Sequence, residues 1–98
     1  MDYEFTDADL LRLATELDFS MGFPVGVEKA FRMRVQSIQA ARHTGDLAAI
    51  RGHRYEQLKG KRSHEYSIRL NDQFRLIFEL RDGGNGKVLV ITGIEDYH

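Results

Sequence analysis

Residues 65–80 read EYSIRLNDQFRLIFEL, and the alternation on either side of NDQ decides the fold. Tyr66, Ile68 and Leu70 fall on one side of an extended chain, Ser67 and Arg69 on the other. Past the break, Phe74, Leu76, Phe78 and Leu80 share a face, while Arg75, Ile77, Glu79 and Arg81 take the reverse. Two runs of period two around a polar turn make an antiparallel hairpin. If both apolar faces meet one core, parity sets Leu70 opposite Phe74 and closes the hairpin with the loop Asn71-Asp72-Gln73. Arg69 then stands opposite Arg75. Like charges so placed cost up to about 1 kcal/mol, which an anion shared between them would relieve.

Outward from this hairpin, RYEQLK at 54–59 reads as a preceding strand and KVLVITGI at 87–94 as a following, more deeply buried one. The turns are GKRSH and RDGGNG. DGGNGK resembles a phosphate loop only superficially. It lies between strands, lacks the Ser/Thr, and reads as a hairpin turn.

The first half is helical. In FTDADLLRLATEL, Thr6 and Asp9 occupy capping-box positions and Leu10, Leu13, Ala14 and Leu17 share a helical face. DFSMGFPVG breaks the pattern, with Pro24 suited to a first turn. Val27, Phe31, Val35 and Ile38 then mark a second helix, ended at Gly45, and LAAIRG suggests a short extra turn. The expectation is an α+β fold: an N-terminal helical hairpin on a four-stranded antiparallel sheet, with room for a short extra N-terminal strand.

The 98 residues suffice for a single domain, 1–98, with one core. With no cysteine there is neither a disulfide framework nor a thiolate metal site, and His43, His53, His64 and His98 lack metal-ligand spacing. No metal and no cofactor is expected. No apolar run approaches membrane-spanning length and the N-terminus is acidic, so a cytoplasmic location is expected. A net charge of -1 hides an asymmetry. Residues 1–20 carry six acids against Arg12, whereas residues 51–75 carry seven bases against three acids. The basic segment suits a polyanion such as RNA.

The chain closes on GIEDYH. The five residues after Gly93 reach roughly 16 Å when extended, enough to fold back over Arg69 and Arg75. Asp96, Tyr97 and His98 beside those cations, with Lys59, Lys61, Arg62 and Arg54 nearby, could support phosphodiester cleavage. That reaction needs a base, an acid and positive charge for the phosphorane. Without a metal the natural version is attack by RNA's own 2′-hydroxyl. The α-carboxylate of His98 and the Asp96 side chain both favour its imidazolium form. Glu56 is either catalytic or an exposed carboxylate paired with Lys59 or Arg54.

LKG at 58–60, YSIRLNDQFRLIF at 66–78 and the terminal DYH occur in an order that resembles the HigB (host-inhibition-of-growth) branch of the RelE/ParE toxin superfamily. The likeness covers about residues 50–98 closely and the helical half in pattern. It implies a RelE-like fold and the toxin of a bacterial or plasmid-maintenance type II toxin–antitoxin system. The implied activity is ribosome-dependent mRNA cleavage (an mRNA interferase that inhibits translation), with contacts to 16S rRNA. The implied partner is a HigA-like antitoxin with a helix-turn-helix domain. The family's terminal acid/base residues fall on Asp96, Tyr97 and His98, its phosphate-stabilising arginine on Arg75 and its phosphate-facing lysine on Lys59. Where some members carry a histidine, this chain has Glu56. Two alternatives stay open: a non-enzymatic gyrase inhibitor like ParE members, and a degenerate toxin that only binds its antitoxin.

Overall fold

The computed structural model describes residues 1–97; the expectation placed on His98 lies outside them. The hairpin is as parity demands. Strands Glu65–Arg69 (β3) and Phe74–Gly83 (β4) pair antiparallel with Arg69 opposite Arg75. The Leu70 N–H donates to the Phe74 carbonyl at 2.9 Å. Asn71 Oδ1 accepts from the N–H groups of Gln73 and Phe74, an Asx turn that fixes the loop. Gly86–Asp96 (β5) returns beside β4 through a turn at Gly84 and Asn85, in register with Gly83 opposite Gly86.

The short extra N-terminal strand that the sequence left room for is present, and it makes the sheet mixed rather than antiparallel. Asp2–Phe5 forms a strand (β1) parallel to β5, so among the described residues the sheet has five strands, is mixed, and runs β1-β5-β4-β3-β2. Four residues suffice because they alternate: Tyr3 and Phe5 pack against the core while Asp2 and Glu4 are exposed. At the other edge, the expected strand over 54–59 shrinks to Glu56–Gln57 (β2). Arg54 before it has a left-handed φ of 45°, and Gly60–Arg62 after it forms a 3-10 turn.

Helix Ala8–Thr15 (α1) is capped by Asp7 rather than Thr6. The Asp7 carboxylate accepts from the N–H groups of Asp9 and Leu10, while Thr6 is tied to the Ile91 carbonyl of β5. The helix stops before Leu17, which is exposed instead of in the apolar face. Helix Val25–Ala40 (α2) buries Val27, Phe31, Val35 and Ile38 as their spacing requires. It ends where Ala41 turns extended, not at Gly45, which lies inside a short helix, Thr44–Ala48 (α3). The segment between α1 and α2 is held by α2. Arg32 donates to the carbonyls of Leu13, Glu16 and Phe19, and buried Glu28 accepts from the Met21 N–H.

The helices cover one face of the sheet. Leu10, Leu13, Phe31 and Ile38 meet Ile68, Leu76, Phe78, Leu89 and Ile91 in one core. A bulge interrupts β5: Ile77 faces Gly93 but Phe78 faces Ile91, leaving Thr92 as an extra residue. Parity therefore flips. Ile94 returns to the core side opposite Leu76, and Glu95 comes to stand opposite Arg75.

Candidate active site

The face of the sheet turned away from the helices is not open. Leu58 and Arg62 line a cavity there with Ser67, Arg75 and Ile77, and the Arg62 side chain reaches Glu95 of β5. Its guanidinium donates to both Glu95 oxygens, at 2.9 and 2.6 Å, and to both Glu65 oxygens, at 2.9 and 2.8 Å. These hydrogen bonds, to Glu65 and then Glu95, push Arg62 above its ordinary range and hold Glu65 below the usual carboxylate range. Arg62 was expected on the RNA-facing strip. Two carboxylates already occupy it.

Beneath this clasp lies Arg75, 6% exposed. Its Nη2 donates to the Arg54 carbonyl at 2.6 Å, which the left-handed turn at Arg54 aims inward. The Tyr97 ring covers the guanidinium at 4.8 Å, a cation–π contact. Arg75 Nε is buried and has no hydrogen-bond partner among the described residues. Glu95 is opposite in register, yet its carboxylate is drawn to Arg62. Burial with no ion pair among the described residues leaves a concentrated positive charge under an aromatic lid.

Tyr97 is half exposed, and its hydroxyl donates to Glu56 Oε1 at 3.3 Å. Among the described residues Glu56 therefore pairs with Tyr97, not with Lys59 or Arg54. Tyr97 is placed by continuation rather than fold-back. β5 runs on to Asp96 instead of leaving after Gly93, because the bulge keeps it in register with β4, and the Tyr97 N–H donates to the Gln73 carbonyl. Asp96 stands opposite Phe74, where its carboxylate accepts from Gln73 Nε2 at 2.9 Å. Lys59 borders a cavity with Glu56, Leu58 and Tyr97; Lys61 is exposed on the 3-10 turn. Neither lysine forms an ion pair among the described residues. Arg69 binds Asp72 and borders a second recess with Arg54, Arg75 and Tyr97.

Arg75, Tyr97 and Glu56 thus converge, with Arg69 and Lys59 at the margins. The arrangement couples a buried cation to a phenol and a carboxylate, groups that can neutralise an oxyanion and exchange protons. Sequence reasoning missed Glu95, hidden by the bulge, although a glycine inside an apolar strand (Gly93) is a bulge signal. It also missed Ser67, which is fully buried on this face opposite Glu56. The acidic residues of β1 lie four strand spacings from β2, about 19 Å, so the sheet separates the two charged regions.

The family model described as "RelE-like toxin of type II toxin-antitoxin system HigB" matches residues 3–98. The chain is 38% identical over 60 residues to Toxin HigB-1 of Vibrio cholerae serotype O1, a match covering 61% of this chain and 63% of that protein's length. A solved YoeB/ParE toxin from Agrobacterium tumefaciens superposes over 100% of both chains with a TM-score of 0.58 at 14% identity, a likeness of fold.

Proposed function

The chain belongs to the HigB-like toxins of type II toxin–antitoxin systems, and from that premise we propose that it is an endoribonuclease that cleaves mRNA on the ribosome. In this reading the cut needs no metal. A base takes the proton of the RNA 2′-hydroxyl, whose oxygen attacks the adjacent phosphorus. The bond to the 5′-oxygen breaks, and an acid protonates that oxygen. The products are a 2′,3′-cyclic phosphate and a 5′-hydroxyl. Arg75 neutralises the phosphorane, Glu56 accepts the first proton with Tyr97 orienting it, and His98, next in the chain, supplies the second. Lys59, Lys61 and Arg69 hold the backbone of the RNA. A helix-turn-helix antitoxin of the HigA type keeps the toxin silent in the cytoplasm.

The observation that carries this reading is Arg75: a buried guanidinium whose Nε has no hydrogen-bond partner among the described residues, stacked on a tyrosine whose hydroxyl meets a carboxylate. A gyrase inhibitor or an inert antitoxin binder has no need of a desolvated cation joined to an acid/base pair. Expression in a bacterium with transcript ends mapped tests it. Cuts within translated codons are expected. A DNA-damage response without such cuts would assign gyrase, and normal growth would assign a degenerate toxin.

A further inference from the structure

Two polar groups on the second face of the sheet are buried with no hydrogen-bond partner among the described residues: the Ser67 hydroxyl and Arg75 Nε. Ser67 and Arg75 line one cavity of about 200 Å³ with Leu58, Ile77, Asp96, Tyr97 and the Arg62–Glu95 clasp. Native proteins rarely leave such groups unpaired, and each needs a reason. Ser67 is 0% exposed and Arg75 6%. A hydroxyl orphaned there lowers stability, since alanine would fill the same place without it. The space exceeds the roughly 30 Å³ that a water occupies.

We infer that Ser67 Oγ and Arg75 Nε form a subsite for one anionic oxygen of an RNA phosphate, with Ser67 a substrate-binding residue of the cleavage reaction. Arg75 Nε–H is a charged donor, and the serine hydroxyl donates beside it. Of the two carboxylates that line the cavity, Glu95, opposite Arg75 on β5, is held by Arg62, and Asp96 accepts from Gln73 Nε2. The Arg62 clasp therefore draws the Glu95 carboxylate away from Arg75. Only the RNA identity of the ligand rests on the ribonuclease reading. The subsite itself stands on burial and position.

The test compares the parent with Ser67→Ala in three measurements. Sodium phosphate is titrated into the isolated protein while the Arg75 Nε–H resonance is followed, its peak assigned by its loss in Arg75→Lys. Sodium acetate at equal ionic strength is the control. Phosphate should shift the resonance, acetate should not, and Ser67→Ala should bind phosphate about tenfold more weakly. Single-turnover cleavage of ribosome-bound mRNA should fall about tenfold to a hundredfold in Ser67→Ala. Its melting temperature should hold or rise, because the change removes an unsatisfied buried group. Equal phosphate binding by both proteins, equal response to acetate, or a lower melting temperature would overturn the subsite. If the parent cleaves and Ser67→Ala cleaves as fast, the subsite fails and the ribonuclease reading stands. If phosphate binding depends on Ser67 but the parent never cleaves, the subsite stands and the ribonuclease reading fails.

Discussion

Arginine at 62 and lysine at 61 are neighbours in a basic run, and the structure gives them opposite situations. Lys61 is exposed without an ion pair among the described residues, whereas Arg62 is bound by Glu65 and Glu95. Only the first is available to displace counterions from RNA. Lys61→Ala should lower the slope of log ribosome affinity against log salt by about one. Arg62→Ala should leave that slope unchanged but slow cleavage, because Glu95 is then released toward Arg75. Binding at several salt concentrations distinguishes the two, and equal slope losses would show that Arg62 also touches RNA. The sequence revealed the Arg69–Arg75 confrontation through parity alone. The burial of Arg75 was illegible, because it depends on Leu58 and Arg62 packing beside it and on Tyr97 closing over it. Arg54 offers another test at this scale. Its φ of 45° is unfavourable for any residue with a Cβ, so Arg54→Gly should stabilise the fold by about 1 kcal/mol in denaturant unfolding.

Among the elements, α2 was readable from its periodic Val27, Phe31, Val35 and Ile38, and β3–β4 from strict alternation. What failed were ends and edges, where short-range chemistry competes with period. Asp7 displaced Thr6 as cap because Thr6 is held by β5. Asp7→Ala should therefore cost about 1 kcal/mol while Thr6→Val leaves the helix cap intact; chemical denaturation of both variants checks this. The bulge at Thr92 was invisible to an alternation count, yet it decides which side chains of β5 meet Arg75. Without it Glu95 would point at the core, a desolvated carboxylate with no partner there. Deleting Thr92 should abolish the cooperative unfolding transition rather than merely slow catalysis.

For the whole molecule, the sheet sets Asp2 and Glu4 at its β1 edge, with Lys59 and Lys61, unpaired among the described residues, beyond its β2 edge, which is how a net charge of -1 is compatible with the proposed RNA-binding surface. No described helix is long and apolar enough to cross a membrane. Stability should also depend on pH through His53, buried with a ring nitrogen 3.2 Å from the Leu47 carbonyl. Burial, then the nearby Arg34 charge, lowers its pKa. As pH falls below about 6.5 the unfolded chain takes up a proton that the native state refuses, so stability is complete above that value and declines toward acid. Melting temperature should drop between pH 7.5 and 5.5, and His53→Asn should flatten the drop. An unchanged profile in His53→Asn would remove this histidine from the pH response.

The central claim is that the Arg75 cation serves chemistry rather than folding. The direct measurement is single-turnover cleavage of a ribosome-bound mRNA by the parent and Arg75→Ala, with ribosome affinity and melting temperature recorded on the same preparations. Loss of a buried charge that confronts Arg69 should leave the fold intact and ribosome binding nearly so, while the rate falls by about a hundredfold to a thousandfold. Cleavage by Arg75→Ala at the parent rate, or a variant that no longer folds, would contradict the account.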